Sequence, residues 1–195
     1  MHRKLIIEAL LFASEDPLTP SRIQTILNTE DRRGILEDLH ALREEYQALG
    51  RAFHIVEVAG GYQFRTAPEM GPWLRKLKRH AGSRLSQASM ETVAIIAYKQ
   101  HVTRAEIEYI RGVDCGGVLR SLLDKGLLKI VGRKDVPGRP LLYGTSRRFL
   151  EVFSLKDLSS LPDLRDLQEL GETESSAGPS VLSDPDRRPE EDLSP

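Results

Sequence analysis

Apolar positions along the first half of the chain change their period in a clear order. Leu5 to Ala13 form a nearly continuous apolar run, a helix too hydrophobic to stand fully exposed and therefore central to a small core. Thr19 then offers a helix cap, with Pro20 at the first helical position, where its missing N–H breaks no bond. From about Asp31 to Leu49 the residues Ile35, Leu39, Leu42, Tyr46 and Leu49 fall 4, 3, 4 and 3 apart, one stripe of a third helix that Gly50 stops. The period then drops to two. Phe53 to Val58 and Tyr62 to Thr66 alternate on either side of Ala59, Gly60 and Gly61, which predicts a hairpin, and a short helix near Met70 to Lys78 follows.

The series returns 84 residues later. Aligning Thr19 with Thr103 places Ile23 over Ile107, Ile26 over Ile110, and Leu11, Phe12 and Ala13 over Ile95, Ile96 and Ala97. The second apolar helix is Glu91 to Tyr98, and Thr103 with Glu106 makes a capping box for the next. Asp114 can cap a shorter third helix whose apolar face is Val118, Leu119, Leu122 and Leu123, ended by Gly126. Leu127 to Val131 and Leu141 to Thr145 form a second hairpin around a longer loop, and a last helix spans Arg147 to Phe153. Pro140 has no amide hydrogen, so the returning strand is expected to start at a sheet edge.

Three helices, a two-stranded wing and a final helix describe a winged-helix domain. The predicted fold is mostly α with small β-hairpins (α+β): two tandem winged-helix domains, residues 1–80 and 81–160, with a linker near Ala81 to Gln87 where glycine and serine interrupt the pattern. Residues 161–195 are rich in Ser, Pro, Gly, Asp and Glu, too poor in large apolar groups to offset the entropy of folding, and read as a disordered acidic tail.

Composition adds little beyond a soluble globular class, but charge is unevenly placed. Residues 161–195 hold 3 basic and 10 acidic side chains, whereas residues 81–160 hold 13 basic and 8 acidic ones, the sole candidate footprint for nucleic acid. Glu8 inside the first apolar run, with no small-residue cleavage site after it, argues against a secretory leader. No run approaches the roughly 18 apolar residues of a spanning helix. Cys115 stands alone, so no internal disulfide is expected, which fits a reducing compartment.

Catalytic patterns are not apparent. His2, His40, His54, His80 and His101 share no metal-ligand spacing and read as scattered surface or helix-end residues. Cys115 lies before a helix start, where a thiolate can be favoured, yet a small buried filler is the simpler reading. Glu44 and Glu45 are adjacent, so they do not share a helical face as an acid and base pair would. Gly132, Gly138 and Gly144 lie across a wing, not between a strand and a long helix, and fit hairpin geometry better than a nucleotide site. The chain is therefore expected to be no enzyme, with no cofactor and no metal.

A winged helix first suggests DNA, read by its third helix. In the first copy that helix carries Glu30, Asp31, Glu37, Asp38, Glu44 and Glu45 against Arg32, Arg33 and Arg43, and phosphates would repel it. Its stripe suits packing, on a partner or within its own domain. In the second copy Arg133, Lys134, Arg139, Arg147 and Arg148 gather around the wing, which leaves open a solvated surface, a protein contact or weak nonspecific DNA contact.

Longer stretches carry a resemblance. RLSQASMETVAIIAYK at Arg84 to Lys99, VTRAEIEYIRGVDCGGV at Val102 to Val118 and LLDKGLLKIVGRKDVPGRPLLYGTSRRFLEVFSLKDL at Leu122 to Leu158 resemble the segregation and condensation protein B family. LIIEALLFAS at Leu5 to Ser14 and GGYQFRT at Gly60 to Thr66 are similar to that family's amino-terminal domain. The chain departs from the family at Cys115, where serine is usual, at Ser146, where a second threonine is common, and at Ser154, where glycine is common. The resemblance implies a cytoplasmic, nucleoid-associated homodimer that binds the kleisin subunit, segregation and condensation protein A, and through it a structural-maintenance-of-chromosomes (SMC) ATPase, with no membrane partner. It further implies dimerisation through residues 1–80 and kleisin binding through residues 81–160. Candidate partner-binding residues on family-like stretches are Arg104, Glu106, Arg111, Arg139, Pro140 and Tyr143. For Pro140 and Tyr143 plain wing structure is the competing reading. The competing function is a winged-helix DNA-binding transcription regulator.

Overall fold

The computed structural model describes residues 2–77 and 85–163. In the first half, α1 (Arg3–Ala13), α2 (Pro20–Leu27) and α3 (Arg32–Ala48) lead into β1 (Phe53–Val58), β2 (Gly61–Thr66) and α4 (Gly71–Leu77). The caps stand where the sequence puts them. Thr19 Oγ1 accepts from the Arg22 amide at 3.2 Å, and Asp31 Oδ1 from the Gly34 amide at 2.9 Å. A first core gathers Ile7, Leu11, Ile23, Ile35, Leu39, Leu42, Ile55 and Tyr62, with Tyr46 packed at its margin. Leu49 is not part of it: α3 ends at Ala48, and Leu49, its C-cap, lies exposed.

The first hairpin turns on two residues, not three. Ala59 and Gly60 have φ of 50° and 69°, the left-handed pair of a type I′ turn that matches strand twist. Gly61 belongs to β2 for a different reason. Leu18 and Tyr62 exchange both backbone hydrogen bonds at 2.9 Å, and a Cβ on Gly61 would lie 2.9 Å from the Leu18 carbonyl.

The second half holds α5 (Gln87–Lys99), β3 (Val102–Thr103), α6 (Arg104–Arg111), α7 (Gly116–Asp124), β4 (Leu128–Arg133), β5 (Leu141–Thr145) and α8 (Arg147–Phe153). Its core is built on Val93, Ile96, Val102, Ile107, Cys115, Leu119, Leu122 and Phe149. Cys115 is the small filler expected of it. α5 starts four residues before Glu91, because Ser86 Oγ caps it by accepting from the Ser89 amide at 3.2 Å. Gln87 is thus helical and not linker; Lys78 and Ala81 to Arg84 lie outside the described residues. The α7 cap position is Cys115 and not Asp114, whose carboxylate accepts from the Gly116 amide at 3.2 Å one residue early.

The sheet of this half has a strand the sequence pattern does not announce. Its order is β3-β5-β4, so the strand after Pro140 is central where β3 pairs with Leu142 and Tyr143, while Leu141 at its entry and Gly144 and Thr145 at its end pair with β4 alone. Leu155, Leu158 and Leu161 pack partly buried on the second core, and residues 164–195, most of the predicted tail, lie outside the described residues. No helix among the described residues is long and apolar enough to cross a membrane.

Polar contacts join the two halves. The Ala59 and Gly60 amides donate to the Leu155 and Lys156 carbonyls at 2.9 and 3.0 Å, just past the end of α8. Arg65 donates to Ser154 Oγ at 2.6 Å and to the Glu151 carbonyl at 2.8 Å, while Arg147 donates to the Pro17 carbonyl at 2.7 Å. Lys156 pairs with Glu57 at 3.2 Å.

Candidate partner-binding surface

Helix α6 organises the residues singled out in the sequence. Its capping box is complete: Thr103 Oγ1 accepts from the Glu106 amide, and Glu106 Oε2 accepts from the Thr103 amide at 2.7 Å and its hydroxyl at 2.8 Å. Glu106 Oε1 also accepts from Lys134 Nζ at 2.6 Å, so one carboxylate ties the helix start to the second hairpin. The Lys134 bond, then those from Thr103, hold the Glu106 carboxyl down at about 2, against an ordinary 4.5.

Arg104 works inside the chain as well. Its Nε donates to Glu108 at 2.6 Å, its Nη2 pairs with Asp114, and its guanidinium covers Gly116, where a Cβ would meet Nη1 at 2.8 Å. Glu108 further accepts from the Cys115 amide at 3.1 Å, which fixes the turn from α6 into α7. The Arg104 bond and the Cys115 amide lower the Glu108 carboxyl, and burial foremost raises the Cys115 thiol, away from the thiolate a reactive cysteine needs.

The other candidates are spread around this frame. Arg111, at the far end of α6, is 8% exposed; its Nη2 meets Glu91 at 3.2 Å, and its Nε is the buried polar side-chain atom without a partner among the described residues. Tyr143 lies buried in the central strand, between Val102 and Ile130. Arg139 is exposed at the hairpin tip with φ of 38°, and the Pro140 carbonyl accepts from the Lys134 amide at 2.9 Å. Glu106 and the tip are therefore linked through Lys134. Arg111 and Tyr143 are not on that surface.

Sequence reasoning missed the most exposed aromatic residue. Tyr109 on α6 is 90% exposed, with Ile110 and Val113 exposed beside it. It borders a groove of about 490 Å³ lined by Lys99, His101, Val102, Ala105, Glu106 and Ile110. The available signal was its place two residues after Ile107, off the buried stripe of an amphipathic helix. In the first half a second groove, of about 560 Å³, is bordered by Arg43, Tyr46, Arg51, His54 and Glu69. Helix α4 buries none of its residues and leaves Trp73 and Leu77 in solvent, at 65% and 77% exposure. No three His, Cys, Asp or Glu side chains stand close enough among the described residues to hold a metal ion.

Comparison with known proteins gives the family. Residues 5–164 match the family model described as segregation and condensation complex subunit ScpB. A segregation and condensation protein B of Syntrophotalea carbinolica is 54% identical over 167 residues, covering 86% of this chain and 84% of the relative. Among solved structures, ScpB from Mycobacterium tuberculosis is 28% identical with a TM-score of 0.37, over 78% of this chain and 95% of that one. A dimer of an ScpB amino-terminal domain complexed with an ScpA peptide is 32% identical with a TM-score of 0.35, over 38% of this chain and 91% of that one.

Proposed function

Because the chain belongs to the family of the segregation and condensation complex subunit ScpB, we propose that it is a non-enzymatic adaptor of chromosome condensation and segregation: a cytoplasmic, nucleoid-associated homodimer that binds the kleisin subunit and through it the SMC ATPase. Each core with its hairpin is read as a winged-helix domain. The first dimerises and the second holds the kleisin.

The observation that carries the reading is Tyr109, an aromatic side chain 90% exposed at the rim of a groove on a helix fixed at both ends. A large aromatic side chain with only two rotatable side-chain bonds buries much area for little lost entropy on binding, which is what an interface anchor needs. Arg104 and Glu106 act as positioning residues for that helix, Tyr143 supports it from the sheet, and Arg139 and Pro140 offer the hairpin tip. Arg111 holds the α5–α6 contact. For dimerisation, α4 is the candidate: its described residues bury nothing and leave Trp73 and Leu77 in solvent, an apolar surface for a second copy to cover.

Co-purification with the host's kleisin, with light scattering for mass, tests the reading. A complex containing two copies of this chain is expected. Tyr109→Ala should weaken kleisin binding at least tenfold while leaving the dimer intact, and Trp73→Ala with Leu77→Ala should halve the mass of the free protein. The solved ScpB amino-terminal dimer holds an ScpA peptide, so an unchanged affinity in Tyr109→Ala would move the kleisin contact to the first half. No kleisin complex, together with saturable binding to one DNA sequence, would replace the adaptor by a transcription regulator.

A further inference from the structure

Residues 129–139, most of β4 and the tip of the second hairpin, form an unbroken exposed run. The run holds Lys129, Arg133, Lys134 and Arg139 against a single acidic residue, Asp135. Elsewhere in this half Arg104, Arg111, Arg147 and Arg148 each face a carboxylate, and within the run Lys134 is held by Glu106. Lys129, Arg133 and Arg139 pair with no carboxylate among the described residues; Arg133 Nη1 donates to the Arg139 carbonyl at 3.1 Å, which keeps its guanidinium at the tip. Like charges left together repel one another, a cost that an anion between them removes.

Their directions matter as much as their number. Lys129 and Arg133 are four positions apart and would share one face of a regular strand. The irregularity between Ile130 and Gly132 gives β4 one extra residue, so that Lys129 pairs with Gly144 but Arg133 with Leu141, three positions apart on β5. The two side chains therefore leave opposite faces of the hairpin. Because β3 reaches only Leu142 and Tyr143, the hairpin from Leu141 to its tip is a ribbon of two strands.

We propose that this hairpin lies in the groove of duplex DNA, with Lys129 and Arg133 against the phosphates of its two walls and Arg139 against the backbone at the tip. The major groove is about 12 Å wide and admits a two-stranded ribbon. An acidic peptide would meet one face of the hairpin and leave the charge of the other uncovered. The run contains no Asn, Gln, Ser or Thr, so it offers cations to the backbone and little to base edges, and the contact is independent of sequence. The proposal does not rest on the adaptor reading, in which Lys129 and Arg133 have no part.

The test titrates the full chain against fluorescent duplexes of unrelated sequence at two salt concentrations. Three phosphate contacts give a slope of about −2.7 in log affinity against log salt, so affinity should drop about fortyfold between about 50 and 200 mM. Lys129→Gln, Arg133→Gln and Arg139→Gln should each reduce that drop to about twelvefold. The triple variant should lose binding with its circular dichroism unchanged, since all three side chains are exposed. All duplexes should bind alike, and a single strand of the same length more weakly, for want of a groove. No binding by the full chain at low salt would overturn the proposal, as would a triple variant that binds like the parent. A single strand held as tightly as the duplex would overturn it too. Polyglutamate that displaced the duplex at equal charge concentration would assign the hairpin to an acidic peptide instead.

Discussion

Glu106 is more than half buried, yet it answers three donors from two elements. Its folded carboxyl, at about 2, lies below the ordinary 4.5. Its stabilisation is therefore complete above about 4.5 and is lost as pH falls toward 2. Glu106→Gln should lower the urea midpoint at pH 7, and the gap to the parent should close by about pH 2; a gap that persists there would mean the carboxylate charge is not its source. Glutamine still offers the cap an acceptor, so the loss should stay below the roughly 1 kcal/mol of a removed cap. The capping box of Thr103 and Glu106 was legible in the sequence, but the commitment of Arg104 inside the chain and the further partner of Glu106 were not. Their partners Asp114 and Lys134 lie 10 and 28 residues away, beyond any local pattern. The three departures from the family acquire a common meaning in the structure. Cys115, Ser146 and Ser154 all stand at helix caps. Ser146 Oγ still accepts from the Phe149 amide at 3.2 Å, as a threonine would, and Ser154 occupies a left-handed position, φ 58°, that glycine adopts most easily.

Among the elements, the long periodic ones were legible, and the short ones built from distant pairing were not. α1, α3 and the first hairpin follow from apolar spacing and caps. β3 has two residues, too few for a period, and exists because β5 offers it a partner. The two adjacent glycines of the first hairpin looked alike in sequence but serve different ends: Gly60 for its φ, Gly61 for the close approach of Leu18. Gly61→Ala should accordingly cost about 1–3 kcal/mol, because the obstacle is backbone that cannot swing aside. Hydrogen exchange at the Leu18 and Tyr62 amides should quicken with it. An alanine variant as stable as the parent would mean the Leu18 bridge is dispensable.

At the scale of the molecule, the repeat was readable but its joint was not, since nothing in the sequence signals that Arg65 meets Glu151 and Ser154. Arg65→Ala should leave both cores folded by circular dichroism while broadening the range of distances between them in X-ray scattering. The Ala59 and Gly60 amides should then exchange faster with solvent. Unchanged scattering and exchange would show that the turn amides, with Arg147 and Lys156, hold the halves without Arg65. The joint also makes the two hairpins unequal as places to enlarge the protein. The tip of the first is a two-residue turn whose amides are both engaged, so a peptide spliced between Ala59 and Gly60 should separate the halves. The tip of the second, from Asp135 to Gly138, is exposed. An affinity tag or fluorescent label spliced there should leave both cores and their joint intact, and any loss of kleisin binding it caused would report on Arg139 and Pro140 beside it rather than on folding.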